Sequence, residues 1–169
     1  MQAFIALGAN LGEPAAQVER AVDELARLPE TRLKARSALY LSQAVGYAAQ
    51  PDFVNAVAWV STRLAPRPLL EALLEIEARH GRRREFKNAP RTLDLDLLLY
   101  DGLVLHEPGL TLPHPRMCER VFVLQPLSEI APEQPIPGKG KVADCLARLL
   151  ANTAGAALQR LPRIDRNAA

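Results

Sequence analysis

Cysteine, aromatic residues and long apolar runs are all scarce in this chain of 169 residues. It contains two cysteines, one tryptophan and 5% aromatic residues. Cys118 and Cys145 cannot form a disulfide framework, and they lack the CxxC spacing of a zinc site. No uninterrupted run of about 18 apolar residues is present, which excludes a membrane-spanning helix, and residues 1–4 do not resemble the start of a secretory signal. We therefore expect a reduced protein of the cytoplasm.

The chain also has little excess of positive over negative charge. The 21 basic and 19 acidic residues leave a net charge of +2, which is too balanced to indicate nucleic-acid binding. Apolar residues make up 49% of the chain, enough to bury a core. We expect one domain over residues 1–169, in which residues 133–169 form a C-terminal extension. A local cationic site is nevertheless indicated within residues 79–91, by Arg79, Arg82, Arg83, Arg84, Lys87 and Arg91.

The spacing of apolar residues predicts an α+β protein. Strands are predicted over residues 2–7, 33–41, 53–62 and 93–100, and helices over 14–29 and 66–81. The order strand, helix, strand, strand, helix, strand predicts a split βαβ arrangement, in which an antiparallel sheet carries both helices on one face. Beyond it we expect an irregular segment over 106–115, a strand over 121–124, a helix over 142–150 and a surface extension after Ala151.

A pair of aspartates in the last of these strands is the sharpest chemical feature. Asp94 and Asp96 share one face of a strand and lie about 6.5–7 Å apart along it. Carboxylates at that spacing can converge on Mg²⁺, which prefers carboxylate, water and phosphate oxygens. The alternative is a solvated strand face. Because Leu98 and Tyr100 are expected to continue the aspartate face and are apolar, the carboxylates need a counter-charge, which a metal ion would supply.

The basic segment directly precedes these aspartates. Arginine binds phosphate oxygens in a bidentate manner, and a cationic loop beside a carboxylate pair suits the chemistry of MgATP. Taken alone, the arginines could also form a solvated charged surface or a nucleic-acid patch. The chain has no GxxxxGK[ST] motif, so we expect side chains and metal to hold the phosphates, without a glycine-rich cradle.

A second pair, Phe53 and Asn55, shares one face of a predicted strand. A flat ring beside an amide suits a planar heterocycle, since the ring can stack and the amide supplies a donor and an acceptor. Taken alone, Phe53 is more typical of a core and Asn55 of a satisfied polar residue. Likewise, the turn over residues 8–12 and the lone His114 in a proline-rich segment are, on their own, more typical of structural roles.

Four segments together carry a family resemblance. They are Gly8-Ala9-Asn10-Leu11-Gly12, then Gln50-Pro51-Asp52-Phe53-Val54-Asn55, then residues 87–98 with Arg91-Thr92-Leu93-Asp94-Leu95-Asp96, and Leu112-Pro113-His114-Pro115-Arg116-Met117 followed by Phe122. In this order and at this spacing they resemble the 6-hydroxymethyl-7,8-dihydropterin pyrophosphokinase family, from the first strand to about Pro132. The resemblance implies a ferredoxin-like βαββαβ fold and a role in folate biosynthesis. It also implies transfer of pyrophosphate from ATP to the pterin's hydroxymethyl group, which releases AMP.

The resemblance also implies roles for individual residues. Asp94 and Asp96 would hold two Mg²⁺ ions, and Arg82 and Arg91 would act catalytically on the transferring phosphates. The pterin would bind Ser42, Val45, Phe53, Asn55 and Phe122. ATP would bind Glu77, Arg84, Leu97, Thr111, His114 and Arg120. The expected partners are these two small molecules, without nucleic acid or membrane, and we expect a monomer.

The chain departs from the family pattern at three places. Asn88-Ala89 stands where many relatives have Trp-Gly, Pro115 where some have tyrosine, and Gly109 where some have an arginine. The alternatives to a pyrophosphokinase are another Mg²⁺-dependent phosphotransferase and a non-catalytic ferredoxin-like module that binds RNA. The second alternative is weakened because Phe86 is the single aromatic residue of the basic segment, which gives bases little to stack on.

Overall fold

The structure, a computed structural model, describes residues 1–43, 51–81, 93–152 and 158–162. Its main strands are β1 (Gln2–Ala9), β2 (Thr31–Arg36), β3 (Tyr40–Ser42), β4 (Phe53–Thr62) and β5 (Asp94–Tyr100). Shorter strands follow, namely β6 (Leu105–Glu107), β7 (Leu110–Leu112), β8 (Pro135–Ile136), β9 (Gly140–Lys141) and β10 (Gln159–Arg160). The helices are α1 (Pro14–Ala26), α2 (Pro66–Arg79), α3 (Val121–Ile130) and α4 (Val142–Asn152), with a 3₁₀ turn at Met117–Glu119.

The main sheet is antiparallel and has six strands in the described residues. Its order is β10–β3–β4–β1–β5, and β2 pairs with a further stretch of β4. The predicted α+β class and antiparallel sheet are confirmed. Both predicted helices begin at a proline, whose fixed φ suits the first turn and whose missing N–H costs nothing there.

Helices cover both faces of this sheet. Alternate residues of β1 point to opposite sides, so that Ile5 and Leu7 join one core and Phe4 joins the other. The first core is closed by α1 and α2, through residues such as Val22 and Leu73. We refer to that side as the α1–α2 face. The predicted placement of the first two helices on one face is therefore confirmed.

The opposite side, which we call the α3–α4 face, has a core of its own. Val57 of β4 packs there with Leu127 of α3 and Val142 of α4. The helix predicted over residues 142–150 is confirmed as α4, whereas residues 121–124, predicted to be a strand, begin α3. The prediction of a strand over residues 121–124 is wrong. Val123, Leu124 and Leu127 are buried at helical spacing, which turns one stripe of α3 toward the sheet.

Strand β5 contains an irregularity that changes which residues share a face. In its pairing with β1, Phe4 lies opposite Leu99 and Ile5 opposite Leu97, so Leu98 is an extra residue. Such a bulge reverses the alternation of the residues that follow it. Leu98 lies on the aspartate face as predicted, but Leu99 follows it there. Tyr100 packs in the opposite core, so its predicted position on the aspartate face is wrong.

Three further expectations need correction. Residues 33–41 form two strands, β2 and β3, and between them Ser37 bonds to Val57 through backbone and hydroxyl. Residues 106–115 are not irregular throughout. They include the hairpin β6–β7, which turns at Gly109, where φ is +74°, a value that glycine adopts without steric cost. Of the segment after Ala151, the described residues 158–162 are attached to the main sheet, because β10 pairs with β3. None of the helices in the described ranges is both long enough and apolar enough to cross a membrane.

Candidate active site

Three neighbouring strands bring the predicted pterin residues and the aspartates together. Gly8 of β1 lies directly opposite Asn55 of β4 on one side and Asp94 of β5 on the other. One step further along, Ala6 lies opposite Asp96. These positions share the α3–α4 face, because residues two apart on a strand point the same way. Gly8 and Ala6 therefore form a low floor between an amide and two carboxylates.

The floor is a feature that the sequence analysis missed, since it treated Gly8 as part of a turn. A Cβ at Gly8 would lie 3.3 Å from Asn55 Oδ1 and 4.0 Å from Phe53 Cδ1. The missing side chain thus leaves space in front of the ring and the amide. The sequence signal that could have predicted the floor is the pair of small residues, Ala6 and Gly8, at alternate positions of the first strand. They lie on the same face of the sheet as Asp94 and Asp96 of β5.

The Asn55 amide is oriented by its neighbours. Its Nδ2 donates to Ser42 Oγ at 2.7 Å and approaches the Tyr40 carbonyl oxygen at 3.4 Å. The side chain is 4% exposed. Because the NH₂ group is engaged by strand β3, the carbonyl Oδ1 is directed to the Gly8 side, where it can accept a hydrogen bond from a ligand.

Asp96 is flanked by two nitrogen-bearing side chains. His114 Nε2 lies 3.9 Å from Asp96 Oδ1, and Arg120 Nη1 lies 3.8 Å from Asp96 Oδ2. All three side chains are partly exposed, at 33% for Asp96, 20% for His114 and 23% for Arg120. An anion that approaches this end of the sheet therefore meets two donors and two carboxylates within a few ångströms.

Both the main chain and the ring of His114 are hydrogen-bonded to neighbouring backbone groups. The backbone N–H of His114 donates to the Leu98 carbonyl at 2.9 Å, and the ring Nδ1 accepts the Arg116 N–H at 3.2 Å. With Nδ1 as acceptor, the neutral ring carries its proton on Nε2, the atom that faces Asp96. Burial, then the positive charge of Arg120, lower the pKa of His114 to about 4 against the opposing effect of Asp94. At neutral pH the contact with Asp96 is thus between a neutral imidazole and a carboxylate.

Phe122 lies in the first turn of α3 and is partly buried against the α3–α4 core. The guanidinium carbon of Arg120 is 5.5 Å from the centre of its ring, within the range of a cation–π contact. Arg120 thereby joins the aspartate pair to the predicted aromatic side of the pterin site. Phe53, the other predicted aromatic residue, starts β4 and is partly buried.

The predicted ATP residues are not all gathered at this floor. Glu77 is 3% exposed on α2, and its Oε1 accepts the Leu95 N–H at 3.4 Å. The Leu97 side chain belongs to the α1–α2 core. Thr111 is partly buried in β7, opposite His106. The predicted residues Val45, Arg82, Arg84 and Arg91 lie outside the described residues.

The donor set at the floor fits Mg²⁺. No group of three or more His, Cys, Asp or Glu side chains suited to a metal occurs within the described residues. This part of the chain therefore does not supply a complete set of protein ligands for a metal ion. Mg²⁺ is commonly bound by one or two carboxylates, with water and substrate phosphates completing its shell. Asp94 and Asp96, on one partly exposed strand face, match that requirement.

The fold and the site together define a class. An α+β sheet that presents two carboxylates, a neutral imidazole and a guanidinium at one end is suited to phosphoryl transfer, in which charge must be neutralised and groups aligned.

Comparisons with known proteins identify the family. The model for the 7,8-dihydro-6-hydroxymethylpterin-pyrophosphokinase family matches residues 4–132, and the chain belongs to this family. It is 49% identical over 144 residues to the 2-amino-4-hydroxy-6-hydroxymethyldihydropteridine pyrophosphokinase of Pseudomonas aeruginosa, covering 85% of this chain and 89% of that protein. The protein of the same name from Haemophilus influenzae is 44% identical, covering 80% and 84% of the two chains. The chain is accordingly an ATP-dependent pyrophosphokinase of folate biosynthesis, and neither alternative class is supported.

Solved structures agree on the fold. A crystal structure of wild-type Plasmodium falciparum HPPK-DHPS with pteroate superposes with a TM-score of 0.69 at 12% identity, covering 89% of this chain and 42% of that one. The same protein with SDX-DHP gives a TM-score of 0.65 at 13% identity, with 89% and 44% covered. This chain thus spans less than half of that longer protein. At such low identity the likeness concerns the fold alone.

Proposed function

We propose that the floor formed by Gly8 and Ala6 is where this chain transfers the terminal pyrophosphoryl group of ATP to the hydroxymethyl oxygen of 6-hydroxymethyl-7,8-dihydropterin. The observation that carries the proposal is the row across three strands, in which Asn55, Gly8 and Asp94 lie side by side. It supports a pterin-binding half at β4 next to a phosphate-binding half at β5. The substrates also agree with the names of the relatives.

The proposed pterin-binding half consists of Phe53, Asn55, Phe122 and Ser42, and it includes Val45, which lies outside the described residues. Asn55 Oδ1 accepts a hydrogen bond from the edge of the heterocycle, because its amide is oriented by Ser42 Oγ. Phe53 and Phe122 hold the ring by aromatic contact, for which offset-stacked or edge-to-face arrangements are favoured. The space above Gly8 admits the ring.

The phosphate-binding half consists of Asp94, Asp96, His114 and Arg120. Two Mg²⁺ ions bound with ATP would neutralise phosphate charge and align the displacement. Asp94 and Asp96 would hold those ions through carboxylate oxygens, while Arg120 would offer its guanidinium and His114 its Nε2–H to a phosphate. The neutral state of His114 at pH 7 follows from its lowered pKa. Thr111 and Arg84 complete the proposed ATP contacts. Glu77 and Leu97 stay part of the proposal, but Glu77 is buried on α2 and the Leu97 side chain packs in the α1–α2 core, so Leu97 would contact ATP through its backbone.

The reaction requires alignment more than a strong base. The hydroxymethyl oxygen forms a bond to the β-phosphorus of ATP, the bond from that phosphorus to the oxygen bridging the α-phosphate breaks, and AMP leaves. Asp96 or a water molecule accepts the hydroxyl proton. Arg82 and Arg91, which lie outside the described residues, act on the transferring phosphates. We further propose that the chain works as a single-domain monomer in the cytoplasm, with residues 133–169 as a C-terminal extension.

The reaction is tested by incubation with MgATP and 6-hydroxymethyl-7,8-dihydropterin, with chromatography of the nucleotides. We expect AMP that forms with the pterin present and is abolished by EDTA. ADP, or AMP formed equally fast without the pterin, would mean that the acceptor is wrong.

The role of Asp96 is tested by Asp96→Asn. This substitution keeps the shape of the side chain and removes its charge, so we expect turnover to fall by roughly 10²-fold or more with an unchanged circular dichroism spectrum. Glu133→Gln is the matched control, since Glu133 is 75% exposed and pairs with Lys141 away from the floor. Near-normal turnover of the folded Asp96→Asn variant would show that Asp96 has no role in the reaction.

A further inference from the structure

A short C-terminal segment beyond the family match is built into the pterin side of the fold. The family model ends at residue 132, whereas residues 158–162 are described and include strand β10. We call residues 158–162 the C-terminal strap. It contacts two elements that carry proposed pterin-binding residues, namely the β3–β4 strand pair and helix α3.

The strap extends the sheet next to β3. Gln159 pairs with Leu41 and Arg160 with Tyr40, and the Leu161 N–H donates to the Leu39 carbonyl at 2.8 Å. On its other side β3 pairs with β4, where Tyr40 lies opposite Asn55. Strand β3 has three residues. Without the strap it would be an exposed edge held from one side, and short edge strands are only weakly held.

The strap is also bonded to helix α3. Gln125 donates through Nε2 to the Leu158 carbonyl at 3.2 Å and accepts the Leu158 N–H through Oε1 at 2.7 Å. One side chain thus satisfies both backbone groups of Leu158. Gln125 lies three residues after Phe122, on the same stripe of the helix, so this contact fixes the rotation of the helix that carries Phe122.

A third contact closes the connection between α3 and β3. Glu129 follows Gln125 by one helical turn and accepts hydrogen bonds from Tyr40 Oη at 2.6 Å and from the Ala38 N–H at 2.9 Å. Arg160 of the strap lies 3.8 Å from the same carboxylate. Helix α3, strand β3 and the strap therefore form one bonded unit, which we call the strap unit, with Phe122 on one side and Asn55 on the other.

We propose that the C-terminal strap positions the two sides of the pterin pocket relative to each other, and that Gln125 is the positioning residue through which it acts. The proposal rests on the function proposed above for Phe122 and Asn55. The aspartate pair is attached to β5, two strands from β4 across β1. The strap unit meets that side at the N-terminal end of α3, where Arg120 lies 3.8 Å from Asp96, five residues before Gln125. Phe122 is closer to Gln125 along the helix and Asn55 pairs with β3, so loosening the strap affects pterin affinity more than ATP affinity.

The first test is Gln125→Met, which keeps the length of the side chain and removes both hydrogen bonds to Leu158. We expect the KM for the pterin to rise on the order of tenfold, while kcat and the KM for ATP stay within about twofold. The matched control is Gln159→Met, since the Gln159 side chain is exposed on the strap itself. Equal rises in both KM values, or a fall in kcat alone, would contradict a positioning role.

A binding titration separates this proposal from the one on which it rests. Pterin binding is measured with Mg²⁺ and a non-hydrolysable ATP analogue for wild type, Asn55→Ala, Gln125→Met and Gln159→Met. Weakened binding in Asn55→Ala and Gln125→Met, with a normal Gln159→Met, supports both proposals. If Asn55→Ala binds normally, the pterin site itself is misplaced. If Asn55→Ala is weakened and Gln125→Met is not, the strap has no positioning role.

A second measurement uses the unmodified chain and so does not depend on whether a variant folds. Coupling between two sites is reciprocal, so a strap that supports pterin binding must itself be stabilised by the pterin. We expect hydrogen exchange of the Leu161 amide, which bonds to Leu39, to slow severalfold when the pterin binds. Unchanged exchange at Leu161 under saturating pterin would overturn the proposal.

Discussion

At the scale of single residues, the site depends on Gly8, because glycine has no side chain to fill the space between its neighbours. Gly8 separates Asn55 from Asp94 in the strand row, and it has an ordinary strand environment in which alanine is tolerated by the backbone. Its value lies in the space above it, because a Cβ would lie 3.3 Å from Asn55 Oδ1.

This space makes Gly8→Ala informative. We expect the KM for the pterin to rise roughly tenfold, because the methyl group occupies ligand space and displaces the Asn55 amide by a few tenths of an ångström. Stability should change by less than about 1 kcal/mol, because replacing a strand glycine is favourable and shifting the buried Asn55 amide opposes that gain. Gly102→Ala is the control, because nothing lies within 4 Å of a Cβ built there. Steady-state kinetics measure the KM, and thermal unfolding measures the stability. A large loss of stability without a change in KM would refute the role given to Gly8.

The residue scale also shows what the sequence could reveal about the site. The alternation of a strand was enough to place Asp94 and Asp96 on one face, and both lie there. It was not enough to find Ser42 as the partner that orients Asn55, because that bond joins residues 13 apart in the chain. The floor at Gly8 was missed for a similar reason, since its role exists only through the two strands on either side.

At the scale of elements, helix α3 is attached to strand β3 by the Tyr40–Glu129 hydrogen bond. Burial, the hydrogen bond to Glu129 and the charge of that carboxylate raise the pKa of Tyr40 to about 12. The folded protein therefore holds the phenol proton more tightly than the unfolded chain does. The stabilisation that results is complete below pH 10 and is lost as the pH rises from 10 to about 12.

Tyr40→Phe tests this attachment. At pH 8 we expect the free energy of unfolding to fall by about 1 kcal/mol, the usual contribution of one hydrogen bond. Between pH 8 and pH 11 the variant should lose less stability than wild type, because it has no phenol to ionise at this position. The pKa of Tyr100 is also raised by burial, but its contribution is common to both proteins. Urea unfolding at the two pH values measures the difference, and identical losses would show that Tyr40 does not carry the alkaline sensitivity.

Helices and strands were predicted best where the local sequence determines their secondary structure. The helices that begin at Pro14 and Pro66 formed as expected, whereas the segment at residue 121 did not. Val121 and Phe122 favour strands by local propensity, and Pro126 argues against a helix interior. Burial of Val123 and Leu127 on the sheet overrides both preferences. The bulge at Leu98 could not be predicted either, because it is defined by the register with β1.

At the scale of the whole molecule, one sheet is shared by two cores. Leu73 of α2 is fully buried on the α1–α2 face, and Leu127 of α3 is fully buried on the α3–α4 face. The strands between them contribute alternate residues to both sides. Neither helical layer can separate without exposing apolar residues of the common sheet, so the two cores should unfold together.

Substitution of Leu73 by alanine tests whether the two cores, on opposite sides of the sheet, unfold together. Removal of a buried leucine side chain costs about 2–5 kcal/mol, so we expect Leu73→Ala to lower the free energy of unfolding by that amount. Trp59, the single tryptophan, packs on the α3–α4 face with Phe4 at 5.5 Å between ring centres. Its fluorescence therefore reports on the side opposite to the substitution.

The expected result is that fluorescence and far-ultraviolet circular dichroism shift to the same lower urea midpoint in Leu73→Ala. The neighbouring Leu74 is 47% exposed, so Leu74→Ala is a matched control that should change the midpoint little, by less than about 0.5 kcal/mol in free energy. If the two cores were independent, Leu73→Ala would shift the circular dichroism transition and leave the Trp59 transition in place. A common shift would instead mean that substrate-binding residues on one face depend on packing at the other, since Asn55 and Asp96 belong to the strands that both cores hold.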